Sequence, residues 1–495
     1  MKLQELSQRL LVSRLIGDGD AEIADLEVDS RKTGAGALFF CLPGHTVDGH
    51  AFAAEAASRG AAALVAAREL PVALPQLIVP NPRLALAVLA DFFYGQPSRR
   101  LQPVGVTGTN GKTTTTYLLE RIWADNGVAA GVIGTIETRY GGKRAAMSGT
   151  TPDALELQRV LAAMVAAGMD RCVMEVSSHA LEQGRVKGIR FRTAVFTNLS
   201  QDHLDYHRTM EAYEAAKGLL FARLGNDYGL RSADRHCAVF NADDPAAERL
   251  ARLTAAEVLT YGIDRPADLR ATDLATTAAG TSFTLVTLHG ERRVSLRMVG
   301  KFNVYNALAA LAAAYCEGIP LAAAVASLEA VPGVPGRMEI VDEGQPYAVI
   351  VDYAHTPDGL DNVLRTVRGL AAGRVICVFG CGGDRDRSKR PKMGKIAASL
   401  ADLLVVTSDN PRTEDPLAIM ADIESGLREA RLDPSRCVML PDRREAIEKA
   451  VEMASPQDVV LIAGKGHETY QIIGGVAHAF DDRLAARAAI RSRQS

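Results

Sequence analysis

The sequence predicts an α/β protein of three domains. Its 495 residues are too many for one compact core, and about 150 residues per domain gives about three domains. Strand-like runs of Val, Ile, Phe and Leu alternate with Ala- and Leu-rich helical runs along the whole chain, a pattern typical of open α/β sheets. Breaks rich in glycine and proline at Gly95–Pro97 and Val331–Arg337 divide the chain into residues 1–99, 100–335 and 336–495.

The predicted elements follow this alternation from one domain to the next. In the first domain, short β-type runs and Ala-rich runs predict strands Ala37–Leu42, Ala62–Val65 and Leu77–Val79 and helices Ala51–Ala57 and Leu84–Phe93. In the second, they predict strands Pro103–Thr107, Cys172–Val176 and Thr193–Thr197 and helix Asn303–Tyr315. In the third, they predict strands Ala348–Asp352, Val375–Phe379, Leu403–Thr407 and Val459–Ala463 and helix Leu360–Leu370.

The composition excludes several classes of protein. Hydrophobic residues make up 47% and charged residues 23%, which argues against a disordered, fibrous or membrane protein. Lys and Arg number 56 against 59 Asp and Glu, a net charge of −3, so no global positive field attracts nucleic acid and an anionic partner must bind at a local site. The start of the chain carries Glu5 and lacks a secretory signal, and no apolar run reaches the roughly 20 residues of a membrane span. We therefore expect a cytoplasmic protein without a membrane segment or a nucleic-acid partner.

The cysteines are expected to be free, buried thiols. They are odd in number and form no C-x-x-C pair, which in a reducing compartment favours unpaired side chains. The seven are Cys41, Cys172, Cys237, Cys316, Cys377, Cys381 and Cys437.

A glycine-rich loop lies between the predicted strand Pro103–Thr107 and a predicted helix. Backbone N–H groups at a helix N-terminus bind phosphates, a lysine neutralises them, and a threonine hydroxyl reaches Mg²⁺. The strict pattern G-x-x-x-x-G-K-[ST] would place glycine at Val106, so this loop is a variant of it. A plain strand-to-helix turn is the alternative, and the context favours a nucleotide site. The predicted binding residues are Gly108, Thr109, Asn110, Gly111, Lys112, Thr113 and Thr114.

Two further residues are candidate metal ligands. Glu175 lies near the end of an apolar strand, and His203 follows the strand that ends at Thr197. Ligands gather beyond the carboxyl ends of strands in open α/β sheets, so both residues are predicted to face the crevice of the phosphate loop. Singly, a glutamate can merely flank a helix and a histidine is usually structural; with a phosphate loop, they are candidate Mg²⁺ ligands.

Lys217 lies on the apolar stripe of a predicted helix, together with Tyr213, Leu220 and Leu224. A lysine that faces a core is costly unless it is paired or chemically altered. The pattern alone favours a side chain that extends its amine to solvent. The alternative is a lysine of depressed pKa that forms a carbamate and binds a cation.

An ordered set of landmarks resembles the Mur ligase family, the ATP-dependent amide-bond synthetases that build the peptidoglycan stem peptide. This order is far more specific than any single motif. The landmarks are Gly108-Thr-Asn-Gly-Lys-Thr113, Met174-Glu-Val-Ser-Ser-His179, Thr197-Asn-Leu-Ser-Gln-Asp-His203, Lys217, Gly300-Lys-Phe-Asn-Val-Tyr-Asn306, Pro335-Gly-Arg-Met-Glu339 and Asp352-Tyr-Ala-His-Thr-Pro357.

The resemblance implies a fold and a set of substrates. It implies an N-terminal α/β domain that binds UDP, a central P-loop-type parallel-sheet ATPase domain and a C-terminal Rossmann-like α/β domain that binds an amino acid. The resemblance is strongest to the members that add meso-diaminopimelate to UDP-N-acetylmuramoyl-L-alanyl-D-glutamate. By that resemblance, the UDP-linked substrate binds to Val28, Ser30, His45, Thr46, Val47, Thr150, Thr151, Ser177, Gln183 and Arg185. Diaminopimelate binds to Arg385, Asp409, Asn410, Pro411, Arg412, Gly464 and Glu468.

The tetrapeptide Asp409-Asn-Pro-Arg412 resembles the family's marker for diaminopimelate over lysine. Diaminopimelate carries a second carboxylate where lysine has only an ammonium, and a guanidinium such as that of Arg412 binds a carboxylate in bidentate fashion. Arg385 could bind the carboxylate at the other head and Glu468 the distal ammonium. A simple β-turn is the alternative, because Asn-Pro is common in turns.

The implied reaction transfers the ATP γ-phosphate to the D-glutamyl carboxylate, and the diaminopimelate amine then displaces phosphate. The implied catalytic residues are Lys112, Glu175, His203 and Lys217. By analogy, Thr113 and Glu175 hold one Mg²⁺, and His203 with carbamylated Lys217 a second. Asn303, Arg337, Asp352 and His355 contact the nucleotide, and domain closure assembles the site. A monomer is expected. The alternatives are a lysine-adding or folate-type relative, and a phosphate-loop ATPase that acts as a switch or binding module.

Overall fold

The computed structural model describes residues 1–44, 47–145, 149–225, 235–277 and 279–494. Helices and strands alternate along these ranges, which confirms the α/β class that the sequence predicts. Within the described ranges, no helix combines the length and the apolar character needed to cross a membrane.

The strands are short, as in most α/β proteins. In chain order they are β1 (Arg14–Ile16), β2 (Asp25–Glu27), β3 (Ala37–Phe40), β4 (Ala61–Ala66), β5 (Gln76–Ile78), β6 (Val104–Thr107), β7 (Ala130–Ile133), β8 (Thr138–Tyr140), β9 (Lys143–Ala145), β10 (Arg171–Glu175), β11 (Thr193–Phe196), β12 (Cys237–Asn241), β13 (Glu257–Gly262), β14 (Leu269–Thr277), β15 (Gly280–Thr287), β16 (Gly290–Leu296), β17 (Glu339–Ile340), β18 (Ala348–Asp352), β19 (Val375–Phe379), β20 (Leu403–Val406), β21 (Cys437–Met439), β22 (Val459–Ala463), β23 (Tyr470–Ile473) and β24 (Val476–Ala479).

The helices range from a single turn to about four turns. In chain order they are α1 (Leu3–Ser7), α2 (Ala53–Ser58), α3 (Pro82–Phe93), α4 (Ser98–Leu101), α5 (Lys112–Asp125), α6 (Ala154–Ala166), α7 (Ser178–Glu182), α8 (Leu204–His207), α9 (Met210–Phe221), α10 (Ala246–Ala251), α11 (Lys301–Cys316), α12 (Leu321–Glu329), α13 (Pro357–Leu370), α14 (Lys389–Leu400), α15 (Pro416–Glu429), α16 (Arg443–Met453) and α17 (Asp482–Gln494).

The chain forms two compact units, each assembled from several stretches of sequence. The first unit contains Met1–Gly105, Gly127–Ala194 and Asp227–His236. The second unit contains Val106–Asn126, Val195–Asn226 and Cys237–Ser495. The domain boundaries that the sequence predicts, after residues 99 and 335, stay predictions.

One sheet of the first unit has the strand order β1-β5-β4-β3-β2. Only β1 runs antiparallel to its neighbour; the other pairs are parallel. Parallel strands need cover on both faces. Residues of α1, α3 and α6 cover one face, and α2 covers the other.

The other strands of the first unit lie in the order β10-β7-β8-β9. β10 and β7 are parallel, and β7, β8 and β9 pair antiparallel. The apolar residues of β10 are buried, and the strand ends on the carboxylate of Glu175. Asp153 begins α6 because its carboxylate accepts hydrogen bonds from the N–H groups of Leu155 and Glu156, both at 3.0 Å.

In the second unit, strands β16, β15, β14, β13 and β12 are neighbours in that order. β12, β13 and β14 pair parallel, and β14, β15 and β16 pair antiparallel. The Ala-rich helix α11 is buried along most of its length and packs against α5, the helix that follows the phosphate loop. Small side chains allow this close approach, which places the start of α11 beside the loop.

A six-stranded sheet completes the second unit, with the order β17-β18-β22-β19-β20-β21. All neighbouring pairs except β17 and β18 are parallel. Apolar clusters cover both faces, which explains why β19 and β22 consist entirely of apolar residues. The predicted strands Ala348–Asp352, Val375–Phe379 and Val459–Ala463 are confirmed residue for residue.

The prediction that all seven cysteines are free is wrong for two of them. Cys237 and Cys316 form a disulfide, with Cα atoms 6.3 Å apart and a sequence separation of 79. No sequence pattern marks this pair, because the packing of α11 against β12 brings the two residues together. Among the described residues, the other five are free; Cys437 is partly buried and the other four are buried.

Candidate active site

The phosphate loop connects β6 to α5 through two glycines that no other residue replaces without strain. Gly108 and Gly111 have φ angles of 147° and 86°, which L-residues rarely adopt. A Cβ atom at Gly108 would overlap the hydroxyl of Thr197, and one at Gly111 would overlap the side-chain oxygen of Asn306. The loop therefore has the tight shape that the sequence predicts.

A segment after β11 holds the loop in place. The side chain of Asn198 accepts from the N–H of Asn110 at 2.9 Å and donates to its carbonyl at 3.1 Å. The N–H of Thr109 donates to the carbonyl of Asn198 at 2.8 Å, and the N–H of Ser200 donates to the hydroxyl of Thr109 at 3.0 Å. Neither Asn198 nor Ser200 was among the predicted site residues, although both lie in the landmark Thr197–His203.

Lys217 lies directly behind the loop. Its side chain is buried, and Nζ donates to the carbonyl oxygen of Gly108 at 2.8 Å. The interpretation that the pattern alone favoured, an amine that extends to solvent, is therefore wrong, because α9 packs the whole stripe of Tyr213, Lys217 and Leu220 inward.

The surroundings of Lys217 disfavour its charged form. Burial, and then the ammonium of Lys112, lower its pKa well below the ordinary value, and the carboxylate of Asp202 only partly opposes them. Lys112 donates to the same Gly108 carbonyl at 2.9 Å. The structure thus provides a buried amine that loses its proton readily. The neutral amine is the form that reacts with CO₂ to give a carbamate.

His203 lies next to a buried carboxylate. Its Nε2 is 3.3 Å from Oδ2 of Asp202, and its backbone N–H donates to Oδ1 of Asp202 at 2.9 Å. Burial alone would raise the pKa of Asp202, but Lys389, His203 and His355 together hold it below the ordinary value. Asp202 therefore stays ionised at the centre of a cluster of basic groups.

Arg337 and the first turns of α11 both reach the phosphate loop. Nη2 of Arg337 donates to the hydroxyl of Thr113 at 3.0 Å, and its guanidinium lies 4.5 Å from the centre of the Tyr353 ring. Asn303 accepts from Asn306 at 3.2 Å, and Asn306 in turn abuts Gly111. Two predicted nucleotide residues, Arg337 and Asn303, are thus brought to the loop.

Asp352 and His355 lie at the end of β18 and in the turn after it. Asp352 accepts from the N–H groups of Met338 and Ala354, both at 2.8 Å, and burial raises its pKa. Nδ1 of His355 lies 2.8 Å from the carbonyl of Tyr353, so the proton is on Nδ1 and Nε2 can accept. Burial, and then Lys389, lower the pKa of His355 to about 4, so the ring is neutral near pH 7.

In the first unit, Glu175 accepts hydrogen bonds from Thr135. The N–H of Thr135 donates to Oε1 at 2.8 Å, and its hydroxyl donates to Oε2 at 3.1 Å. The Thr135 hydroxyl also lies 3.1 Å from the hydroxyl of Thr150. Thr135 orients the carboxylate of Glu175. It was not among the predicted site residues.

Four predicted residues for the UDP-linked substrate form a connected group beside Glu175. The hydroxyl of Thr151 donates to the carbonyl of Glu175 at 2.9 Å and accepts from the N–H of Ser177 at 3.1 Å. Arg185 donates to the carbonyl of Thr151 at 3.0 Å and to Oε1 of Gln183 at 2.6 Å. These side chains, apart in sequence, are brought together.

Three residues of the predicted uridine cradle are among the described residues of the first unit. Ser30 donates to Glu55 at 2.8 Å, the N–H of Val28 donates to Glu27 at 2.8 Å, and Val47 is exposed. Within the described part of the chain, neither Ser30 nor Val28 has a hydrogen bond to the group around Thr151. His45 and Thr46 lie outside the described residues.

Asn410 is the centre of the predicted amino-acid pocket. Its Oδ1 accepts from Nζ of Lys465 at 3.1 Å and from the N–H of Ile472 at 2.9 Å, and its Nδ2 donates to Glu468 at 2.8 Å. Lys465, which is buried, also forms an ion pair with Glu468 at 2.8 Å. Lys465 was not among the predicted site residues, although it lies between Gly464 and Glu468, which were.

Pro411 and Arg412 form part of a turn, and the guanidinium of Arg412 contacts the segment at Gly383. The N–H of Glu414 donates to the carbonyl of Pro411 at 3.0 Å, and Arg412 has a φ of 56°. Nη1 of Arg412 donates to the carbonyl of Gly383 at 2.7 Å. This turn spans residues 411–414, so a β-turn over Asp409–Arg412 stays an untested alternative.

Arg385 brings a second guanidinium near that of Arg412. Burial, and then the charge of Arg412, lower the pKa of Arg385. Two guanidinium groups this close create a local positive potential suited to carboxylate groups.

Asp409 and Gly464, two further residues of the predicted amino-acid pocket, lie against each other. Asp409 is buried, and among the described residues its Oδ2 has no hydrogen-bond partner. Gly464 has a φ of 119°, and a Cβ atom there would overlap that Oδ2. Beneath them, Arg443 pairs with Asp482 at 2.7 Å and donates to the carbonyls of Ser408 and Ala463. A buried carboxylate oxygen with unused acceptor capacity suits an ammonium group.

The residues predicted to hold Mg²⁺ offer two oxygen donors, the hydroxyl of Thr113 and the carboxylate of Glu175, and one nitrogen donor, the imidazole of His203. In the described ranges, no group of three or more His, Cys, Asp and Glu side chains could hold a metal by itself. Mg²⁺ keeps several waters and is often bound through one or two carboxylates plus substrate phosphates, so it needs few ligands from the protein.

Comparison with known protein families gives three matches in chain order. The description "Mur ligase family, catalytic domain" matches residues 22–94, "Mur ligase middle domain" matches residues 106–314, and "Mur ligase, glutamate ligase domain" matches residues 336–466.

Curated proteins and solved structures give similarity over the full length. The chain is 50% identical over 493 residues to UDP-N-acetylmuramoyl-L-alanyl-D-glutamate--2,6-diaminopimelate ligase of Bacillus cereus, covering 100% of this chain and 99% of the relative. It is 52% identical over 493 residues to the ligase of the same name from Geobacillus kaustophilus, covering 100% of both. A solved structure of a ligase with that name is 36% identical, with a TM-score of 0.70, covering 100% of this chain and 99% of that one.

Proposed function

The chain belongs to the Mur ligase family, and on this basis we propose that it is the ATP-dependent ligase that adds meso-diaminopimelate to the D-glutamate of UDP-N-acetylmuramoyl-L-alanyl-D-glutamate. The reaction forms an amide bond in a peptidoglycan precursor, with ADP and phosphate as the other products. The relatives at 50% and 52% identity over the whole chain carry the name of this activity.

The pocket around Asn410 carries the proposal. Diaminopimelate has an ammonium and a carboxylate at each end, and the pocket offers guanidinium groups at Arg385 and Arg412 and carboxylates at Asp409 and Glu468. Lysine lacks the distal carboxylate and would leave one guanidinium without its anion. An unpaired buried charge is expensive, so discrimination against lysine follows from the charge pattern.

The chief obstacle to the first step is repulsion between the substrate carboxylate and the ATP phosphates. We propose that this repulsion is lowered by Lys112 and Arg337, together with the backbone N–H groups at the start of α5. In this proposal the phosphates occupy the loop from Gly108 to Thr114, and Asn303, Asp352 and His355 contact the rest of the nucleotide. The contact between Arg337 and Thr113 supports this assignment.

We further propose that Lys217 carries a carbamate. Its burial and lowered pKa support the modification, because the neutral amine reacts with CO₂. Thr113, Glu175, His203 and the carbamate would then be the magnesium ligands. Bound Mg²⁺ would neutralise charge on the phosphate oxygens during phosphoryl transfer.

The UDP-linked substrate is assigned to the first unit. The connected group of Thr151, Ser177, Gln183 and Arg185 supports this assignment, since its polar atoms share one hydrogen-bonded network. Val28, Ser30, His45, Thr46, Val47 and Thr150 are proposed to complete the binding surface. Use of ATP and a nucleotide-linked substrate is consistent with a cytoplasmic reaction, and a monomeric state stays a prediction.

A substrate-dependence assay tests the function. Release of phosphate from ATP is measured with the UDP-linked dipeptide, meso-diaminopimelate, both or neither, and the amide product is identified by mass spectrometry. The proposal requires release and product only when both are present. Equal release with ATP alone would indicate an ATPase switch, and equal use of lysine would indicate a lysine-adding enzyme.

A further inference from the structure

Lys389, the first residue of α14, is a buried lysine to which the proposed reaction gives no role. Its side chain is only 6% exposed. Within the described part of the chain its one ion pair is with Asp202, whose Oδ1 lies 3.8 Å from Nζ. That distance is longer than a hydrogen bond, so the carboxylate attracts the ammonium without using its three donors.

The position of Asp202 places Lys389 among the groups around the phosphate loop. The charge of Asp202 acts on Lys217, which donates to the loop carbonyl of Gly108, and on His355. Asp202 also contacts His203 at 3.3 Å. Lys389 is thus linked through one carboxylate to residues that we assign to ATP and metal binding.

The start of α14 is fixed to the same segment. The side chain of Gln201 donates to the hydroxyl of Ser388 at 2.9 Å, and Ser388 in turn donates to Asp386 at 2.6 Å. Lys389 therefore has a defined position at the N-terminus of a 12-residue helix, whose backbone N–H groups also favour an anion.

The ammonium of Lys389 keeps hydrogen-bond donors for a further partner. Asp202 attracts it from 3.8 Å, whereas other carboxylates of the region bind their own donors: Asp352 accepts from the N–H groups of Met338 and Ala354, and Asp358 accepts from Asn110. An ammonium whose donors its ion pair leaves unused can bind the oxygens of a phosphate group.

We propose that Lys389 is a further phosphate-binding residue, whose ammonium binds the phosphoryl group as it passes from ATP to the substrate carboxylate. In that step a carboxylate oxygen bonds to the γ-phosphorus, the bond from phosphorus to the β,γ-bridging oxygen breaks, and ADP leaves with that electron pair. Lys389 donates hydrogen bonds and transfers no proton, and Asp202 positions it. The inference rests on the proposed function and on the chain's own contacts.

The test compares binding of ADP with binding of a non-hydrolysable ATP analogue by calorimetry, without the other substrates. In K389M we expect the analogue to bind about 10- to 100-fold more weakly, as for a lost hydrogen bond to a charged group, with ADP affinity nearly unchanged. K389R, which keeps the charge, should stay within about threefold of the unchanged protein. K395M is the matched control, because Lys395 is half exposed on the same helix and pairs with Glu429.

A purely structural role gives a different result. If Lys389 only neutralises Asp202, K389M weakens ADP and the analogue equally, and the double variant K389M/D202N recovers analogue binding; either outcome overturns the proposal. If K389M does not fold, K389Q takes its place in both comparisons. Wild-type ligation is measured separately, so absence of amide product would refute the proposed function while the binding data still decide the role of Lys389.

Discussion

Lys112 and Lys217 converge on a single atom: both side-chain nitrogens donate to the carbonyl oxygen of Gly108, at 2.9 and 2.8 Å. One lysine belongs to the phosphate loop and the other to α9, more than 100 residues later in the chain. Two ammonium groups this close repel each other, so the more deeply buried Lys217 gives up its proton more readily. The lowered pKa of Lys217 supports the carbamate that we propose on its side chain.

Replacement of Lys217 by alanine should lower kcat by about two orders of magnitude, comparable to the loss of one preorganised electrostatic group. A short-chain carboxylate added to the assay should restore part of the rate, because it replaces the anionic oxygens of the carbamate. Steady-state rates with and without the carboxylate measure both effects. Lys449→Ala, an exposed lysine on α16, is the control. Full activity of Lys217→Ala would exclude a carbamate role.

Gly111→Ala should abolish ATP binding at ordinary concentrations. The substitution strains a φ of 86° and pushes Cβ into Asn306, which shifts the phosphate loop. Gly127→Ala is a matched control beyond the other end of α5, because Gly127 has a φ of 74° and open space around its Cβ position. It should lose only about 1 kcal/mol of stability and keep its ATP affinity. Calorimetric titration with ATP distinguishes the two variants, and equal ATP affinities would contradict the close-approach argument.

Arg412→Lys should lower kcat/KM for meso-diaminopimelate by roughly 10- to 100-fold, since a hydrogen bond to a charged group contributes about 1.5–3 kcal/mol. Lysine cannot reproduce the fork of two N–H donors that a carboxylate accepts. Arg412→Ala should have at least as large an effect. A substrate panel of diaminopimelate stereoisomers and lysine measures the change, with exposed Arg428 on α15 replaced by Lys as the control. Unchanged discrimination in Arg412→Lys would remove Arg412 from the specificity site.

The buried ring of His467 should make the fold sensitive to acid. Burial, and then the positive charges of Arg337 and Arg483, lower its pKa to about 3 from the ordinary 6.5. The unfolded chain therefore takes up a proton below pH 6.5 while the folded chain does not, so stability falls as the pH drops from about 6.5 toward 3. The loss approaches about 1.4 kcal/mol for each pH unit.

His467→Gln should flatten that part of the stability curve. Urea midpoints between pH 4 and pH 7 measure the slope for the variant and for the unchanged protein. His289→Gln, at an exposed position next to Tyr315, should leave the slope unchanged. Identical slopes for His467→Gln and the unchanged protein would contradict the assignment.

Arg443→Met should destabilise the protein by about 3–5 kcal/mol, because it leaves Asp482 buried without its partner. Substitution of both partners, Arg443→Met with Asp482→Asn, should recover part of the loss, since no unpaired charge then remains. Thermal unfolding of both variants measures the difference. Arg444→Met, one residue along α16, is the control. A double variant less stable than the single one would show that the unpaired charge of Asp482 is not the main cost.

The sequence was sufficient for much of the fold. Long apolar runs such as Val375–Phe379 and Val459–Ala463 predict buried strands, because only a sheet covered on both faces places every side chain in a core. The phosphate loop was equally clear, since glycines at 108 and 111 and a lysine at 112 form a recognisable local motif with backbone conformations that favour glycine.

The sequence could not identify hydrogen-bond or disulfide partners that lie far apart in the chain. Asn198 holds Asn110, and Thr135 orients Glu175, yet nothing in their local sequence pattern marks either one. The Cys237–Cys316 disulfide was missed for the same reason. Hydrogen-bond partners from separate elements depend on packing, which no periodicity encodes.

By itself, the sequence determined the α/β class and the glycine-rich form of the phosphate loop, because these depend on local pattern and residue chemistry. The tertiary structure alone decided the state of Lys217, whose amine the pattern assigned to solvent and which packing instead buries against Gly108. It also brought Lys389 to Asp202, far from it in the chain. The reason is physical: burial and neighbouring charge set the protonation and partners of an ionisable group, and both arise only when distant segments pack together.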